Sequence, residues 1–101
     1  MDMIRSEQFK ELMNNGTAFI ADFYADWCGP CRMLAPLLDK LAGEYPDVAF
    51  VKVNVDDEPT LAARFGIDAI PCIIRFDGGA ETGRSIGYVT EDPLKKQLHL
   101  G

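Results

Sequence analysis

Two apolar runs, Thr17 to Tyr24 (TAFIADFY) and Val48 to Val55 (VAFVKVNV), restrict the possible folds more than any other feature of the chain. Both carry apolar residues on either alternating face, so each reads as a central strand covered above and below. Between them Leu34, Leu37, Leu38 and Leu41 recur at helical spacing, with Pro30 suited to the first turn and Pro36 placed to kink the middle. The segment from Thr17 to Val55 is therefore expected to be a βαβ unit, two parallel strands joined by a covering helix. Asp22 is the misfit in the first run.

The remaining segments add elements of both kinds. Ser6 is placed to cap a short helix carrying Phe9, Leu12 and Met13, which Asn15-Gly16 ends, and only Met3-Ile4 precedes it as a strand. Acidic residues and Pro59 open another short helix with Leu61, Ala62 and Phe65, stopped by Gly66. Cys72 to Phe76, the turn Asp77-Gly78-Gly79 and Ala80 to Ile86 read as a hairpin, and a last helix begins near Thr90 to Pro93 and buries Leu94 and Leu98. The expected order is βαβαβαββα, an α/β fold with a central mixed β-sheet, helices on both faces and a very short first strand. At 101 residues the chain is expected to form a single domain, 1–101, too small for a (β/α)₈ barrel or a full dinucleotide fold.

Charge and cysteine count narrow the chemistry. Ten Lys and Arg against sixteen Asp and Glu give a net charge of −6, which repels phosphate backbones and argues against a nucleic-acid partner. No apolar run approaches the roughly 18 residues of a membrane span, and no basic, apolar leader follows Met1. Three cysteines are odd in number and too few to staple a secreted scaffold. The expectation is a cytoplasmic protein with no membrane partner, in a reducing compartment where paired cysteines mean chemistry or metal more often than architecture.

Trp27-Cys28-Gly29-Pro30-Cys31 falls where the first run meets the helix. Residues i and i+3 of a helix have Cβ atoms roughly 5 to 6 Å apart, so this pair reaches disulfide geometry with a small adjustment and can open and close without refolding. Cys28 precedes the helix, where unpaired backbone N–H groups and the positive dipole end favour a thiolate, whereas Cys31 lies in the first turn and is expected to be better shielded. That asymmetry poises Cys28 to attack and Cys31 to resolve. A zinc site built from Cys28, Cys31, Cys72 and His99 is one alternative, weakened by the lack of a second close ligand pair. A static disulfide is another, but a bridge over two residues constrains very little chain.

Beyond WCGPC, the residues Asp22-Phe23-Tyr24-Ala25, Ala35-Pro36, Lys52, Asn54-Val55-Asp56, Gly66-Ile67, Ile70-Pro71 and Gly87 follow in an order that resembles the thioredoxin family over nearly the whole chain. The resemblance implies the thioredoxin fold and protein-disulfide reduction by dithiol exchange, with no bound cofactor or metal. It also implies roles for further residues. Asp22 would be the buried carboxylate that helps move the proton of Cys31 through water, and Lys52 the ammonium beside it. Desolvation in a doubly covered strand raises a carboxyl pKa toward the range useful to a general base. Read without the resemblance, Asp22 is a partly wet strand residue paired with Lys52, and Lys52 a solvated strand lysine. Ile70-Pro71 would be a cis-proline loop lying against the dithiol and offering backbone groups to an extended peptide, although X-Pro bonds in general favour trans. Trp27, Gly29, Pro30, Ile70 and Gly87, with Pro71 beside them, would form a shallow apolar rim for varied protein substrates. Trp27 taken alone would also suit the core.

The chain departs from the family pattern in its minimal first strand and brief last helix. It departs again at Asp68, where many relatives carry a basic or neutral residue, and at Cys72, where the family usually has Thr. Cys72 enters an apolar run and reads as a small buried hydrophobe of little reactivity, with a third redox thiol as the alternative. The expected function is that of a general protein-disulfide reductase, a monomer acting on disulfide-containing proteins and recharged by thioredoxin reductase. Its rivals are a redox-sensing or partner-binding module without turnover, and a disulfide oxidase or isomerase of the same fold. Gly29-Pro30 between the cysteines disfavours the oxidase and isomerase.

Overall fold

A computed structural model describes residues 1–101. The strands are β1 (Asp2–Met3), β2 (Phe19–Tyr24), β3 (Ala49–Asn54), β4 (Cys72–Asp77) and β5 (Ala80–Ile86), and the helices are α1 (Ser6–Asn14), α2 (Gly29–Glu44), α3 (Pro59–Arg64) and α4 (Glu91–Gln97). The chain order is the expected βαβαβαββα. One sheet runs β1-β3-β2-β4-β5, with β1, β3 and β2 parallel, β4 antiparallel to β2, and β5 antiparallel to β4. The first run loses Thr17 and Ala18 in forming β2 and the second loses Val48 and Val55 in forming β3, because only the residues in register with a neighbouring strand join the ladder.

Two expectations at the amino end need correction. The first strand is Asp2–Met3, one residue earlier than Met3-Ile4, although the Ile4 N–H still donates to the Lys52 carbonyl at 2.9 Å and its side chain enters the core. Ser6 is the first residue of α1 and not its cap; Arg5 holds the cap position, and its N–H donates to Gln8 Oε1 at 3.0 Å. The Ser6 hydroxyl instead donates to Glu58 at 2.6 Å, tying the start of α1 to the start of α3. A sequence window cannot register this bond, because its partners are 52 residues apart.

Period-two alternation sorts the side chains of β2 onto the two faces. Phe19, Ala21 and Phe23 pack with Phe9 of α1, Leu61 of α3 and Phe76 of β4. Phe19 stacks on Phe76 at 4.9 Å between centroids, and Phe9 meets both edge-on at 5.4 Å, arrangements each worth about 0.5–1.5 kcal/mol beyond area burial. The opposite face takes Ile20 of β2 and Phe50 of β3 under Leu34, Leu38 and Leu41 of α2 and Leu94 and Leu98 of α4. Lys40 of α2 and Glu91 of α4 join these two helices through a 2.6 Å ion pair. By the same alternation Asp22 and Lys52, two residues beyond Ile20 and Phe50, lie on the α2 face. The helix runs unbroken for 16 residues through Pro36, which is exposed.

The β4–β5 turn is made by Gly78 and Gly79 with φ of 59° and 79°, a pair that matches the twist of a tight hairpin and that side chains resist. β4 pairs antiparallel with β2 with Cys72 opposite Phe23, so the loop before β4 arrives at the end of the sheet where β2 turns into α2.

Candidate active site

Ligand sites in open α/β sheets gather in the crevice outside the carboxyl ends of the strands. Here β2 lies between parallel β3 and antiparallel β4, and its carboxyl end carries Trp27 to Cys31. Cys28 and Cys31 form a disulfide, with Cα atoms 5.3 Å apart. Cys28 is the N-cap of α2, and its Sγ accepts the Cys31 backbone N–H at 3.2 Å, one of the otherwise unpaired donors of the first turn. The same N–H and the helix dipole favour negative charge on that sulfur once the bridge is open.

The expected difference in shielding is absent in this oxidised form: Cys28 and Cys31 are each 4% exposed. Ala25 packs with both, and Tyr24, Val55 and Ile70 close over the cluster. What distinguishes the sulfurs is their neighbours. Cys28 Sγ lies 3.8 Å from the Ile70 carbonyl oxygen, whereas Cys31 lines a cavity on the α2 side.

That cavity, about 270 Å³, also contains Asp22, Lys52 and Asp39 in its lining. Cys31, Ala35 and Asp39 recur every four residues along α2 and so present one row to it. Asp22 is 4% exposed, and its Oδ1 lacks a protein hydrogen-bond partner. Burial pushes its carboxyl from 3.8 up to about 7, with Lys52 pulling it down and Asp39 pushing it further up. Lys52 is the ladder neighbour of Asp22, but its ammonium lies over the Tyr24 ring, 4.8 Å from the centroid.

On the other side of the dithiol the Ile70-Pro71 peptide bond is cis, as the resemblance implies, and the Gly87 N–H donates to the Pro71 carbonyl at 2.8 Å. Trp27 is 69% exposed, which removes the core reading, and its indole N–H donates to Asp56 Oδ2 at 2.8 Å. A groove of about 180 Å³ brings Trp27 and Ile70 together with Val55, Ile67, Asp68 and Ala69. Gly29, Pro30 and Gly87 do not line it; they sit at the start of α2 and after β5. Sequence alone gives neither Asp39 nor Asp56 a site role, although Asp56 belongs to the family pattern and the four-residue row Cys31, Ala35, Asp39 is a signal for the first. Asp56 is held in turn by its N–H donating to the buried Asn54 Oδ1 at 2.9 Å. Cys72 is buried in β4, and burial pushes its thiol up. His99 lies in the turn after α4, its Nε2 2.9 Å from the Thr82 carbonyl oxygen. No helix is long and apolar enough to cross a membrane.

A cysteine pair that caps the helix leaving the central strand of a mixed sheet, joined to a buried carboxyl, defines a dithiol–disulfide oxidoreductase of α/β fold. The family model described as Thioredoxin matches residues 1–99. Thioredoxin from Pyropia yezoensis is 40% identical over 101 residues, covering 98% of this chain and 94% of the relative. Thioredoxin from Mycoplasma genitalium is 44% identical over 92 residues, 90% of each chain. Among solved structures, oxidised mitochondrial thioredoxin 3 from Saccharomyces cerevisiae superposes with a TM-score of 0.88 at 35% identity, covering 98% and 93% of the two chains. Plasmodium falciparum thioredoxin reaches a TM-score of 0.90 at 24% identity, a likeness of fold, over 98% and 97%. The chain belongs to the thioredoxin family, and Cys28–Cys31 is its redox-active disulfide.

Proposed function

We propose that the protein is a general reductase of protein disulfides in which Cys28 attacks, Cys31 resolves, and Asp22 takes the Cys31 proton. The Cys28 thiolate attacks one sulfur of a substrate disulfide, forming a mixed disulfide and expelling the other substrate sulfur as a thiolate, which solvent protonates. Asp22 then accepts the proton of Cys31 through the shared cavity. The Cys31 thiolate attacks Cys28 Sγ, forming the internal disulfide and expelling the second substrate thiolate. The substrate gains two electrons, and a separate thioredoxin reductase returns two electrons to the protein.

The observation that carries this reading is the different surroundings of the two sulfurs. Cys28 lies against the cis-proline loop, whose Ile70 also lines the exposed groove and would offer backbone groups to an extended peptide, whereas Cys31 borders the titratable cavity. Lys52 acts as a positioning residue, holding positive charge beside Asp22 and limiting how far burial raises its carboxyl. Trp27, Gly29, Pro30, Ile70, Pro71 and Gly87 form the substrate face. Reduction of this kind runs where thiols are kept reduced, which favours a cytoplasmic setting.

Catalysed reduction of insulin by dithiothreitol tests the reading. Catalytic amounts of the protein should reduce many equivalents of disulfide, and Cys28→Ser should return the rate to the uncatalysed level. Equal rates for the two proteins would leave a binding module without turnover.

A further inference from the structure

Trp27 and the groove beside it carry charge of one sign. The indole is anchored at its N–H by Asp56, which leaves a large exposed aromatic surface at the lip of the groove. Val55, Ile67, Ala69 and Ile70 make the walls apolar, and Asp68 is the one charged residue in the lining. Asp68 is exposed and forms no ion pair, and the Asp26 carboxylate next to Trp27 forms none either. No cation pairs with either carboxylate, and Arg64 lies over the Phe65 ring, 5.0 Å from its centroid. Arg32 donates to the Asp26 backbone carbonyl at 2.6 Å, and Arg84 donates to both oxygens of Glu81 and to the Phe65 carbonyl. An aromatic surface, apolar walls and an unpaired carboxylate suit a side chain with an apolar stem and a cationic head, which gains from stem burial, ring contact and charge pairing together.

The groove is continuous with the chemistry, because Ile70 lines it and its carbonyl oxygen is 3.8 Å from Cys28 Sγ. Resting on the reductase reading above, we infer that this groove selects disulfides flanked by a basic residue. An Arg or Lys within two positions of the attacked half-cystine lays its stem along Val55, Ile67 and Ala69, sets its head against Trp27, and pairs with Asp68. The substrate class is thus disulfide segments of basic local sequence, chosen by electrostatic complementarity at the site where exchange occurs.

Three disulfide peptides, identical except for Arg, Gln or Glu beside one half-cystine, test the inference. The second-order rate of their reduction by the reduced protein is measured at about 10 mM and about 0.5 M salt. At low salt the Arg peptide should react about fivefold faster than the Gln peptide, the size of one good exposed charge pair, and the Glu peptide slower than both. High salt should shrink the spread. Asp68→Asn should bring the Arg to Gln ratio to within about twofold of one, and Asp68→Arg should invert it. Asp47→Asn makes the same charge change at the opposite end of the sheet and should leave the ratio as in the wild type.

Equal rates for the Arg and Gln peptides overturn the inference while leaving the reductase reading intact. A ratio that survives both Asp68 variants, or falls as much in Asp47→Asn, also overturns it, because net charge alone would then steer the substrates. Failure to reduce the Gln peptide at all would overturn the reductase reading and this inference with it.

Discussion

Asp22→Asn, studied in the oxidised protein, separates a desolvated base from a structural partner of Lys52. Burial moves the Asp22 carboxyl from 3.8 to about 7, so the folded state holds this proton more tightly than the unfolded chain does. An acid whose folded value is raised costs no stability while it stays protonated; its cost accrues as pH rises from about 4 to about 7 and is constant above. At about 1.36 kcal/mol per pH unit, the full cost is about 4 kcal/mol. By linkage about 1.7 kcal/mol of it has accrued at pH 5, and about 2.5 kcal/mol more accrues by pH 8. The amide does not titrate. Seating it costs about 1–3 kcal/mol if it stays unbonded, but that cost is the same at every pH and cancels from the trend. Denaturant unfolding at a series of pH values should therefore show the variant gaining on the wild type by about 2.5 kcal/mol between pH 5 and pH 8. The variant should also resolve mixed disulfides more slowly at neutral pH. Stability curves that run parallel for the two proteins across this range would refute the desolvated-base reasoning.

Cys31→Ser should trap a covalent mixed disulfide on Cys28, because the resolving attack is gone; mass spectrometry that located the adduct on Cys72 would contradict the division of labour. Iodoacetamide should label Cys28 quickly in the reduced protein and Cys72 only after unfolding, since Cys72 is buried and burial pushes its thiol up. Cys72→Thr should leave turnover nearly unchanged, and an oxidised dimer lost in that variant would instead mark a third redox thiol. Gly83→Ala would drive a methyl group into the Gln97 carbonyl oxygen where β5 passes the end of α4, so it should cost about 1–3 kcal/mol. An unchanged melting temperature would show that α4 shifts freely.

Much of the fold was legible because its signals are local. Leu34, Leu38 and Leu41 repeat with the helix, the β-branched run into Asn54 repeats with the strand, and Gly78-Gly79 names its own turn. The two-residue spacer between Cys28 and Cys31, set at a strand-to-helix junction, likewise fixed the dithiol and its place at the N-cap. The family resemblance supplied Asp22, Lys52 and the cis-proline loop, which no local pattern demanded.

Tertiary structure decided what depends on registry between distant segments. Alternation put Asp22 on the α2 face, but only the packing of α2 over β2 brought Cys31 and Asp39 to the same cavity. Only the β3 to α3 connection brought Asp56 to the Trp27 indole, turning a candidate core residue into an exposed, anchored one. The Ser6 hydroxyl went to Glu58 because α1 and α3 start side by side, and both sulfurs were covered equally because Tyr24 of β2, Val55 after β3 and Ile70 of the cis-proline loop close over them. Sequence periodicity fixes which face a side chain takes on its own element; the neighbour it meets there is fixed by the pairing of elements, a choice made by the burial of the whole core.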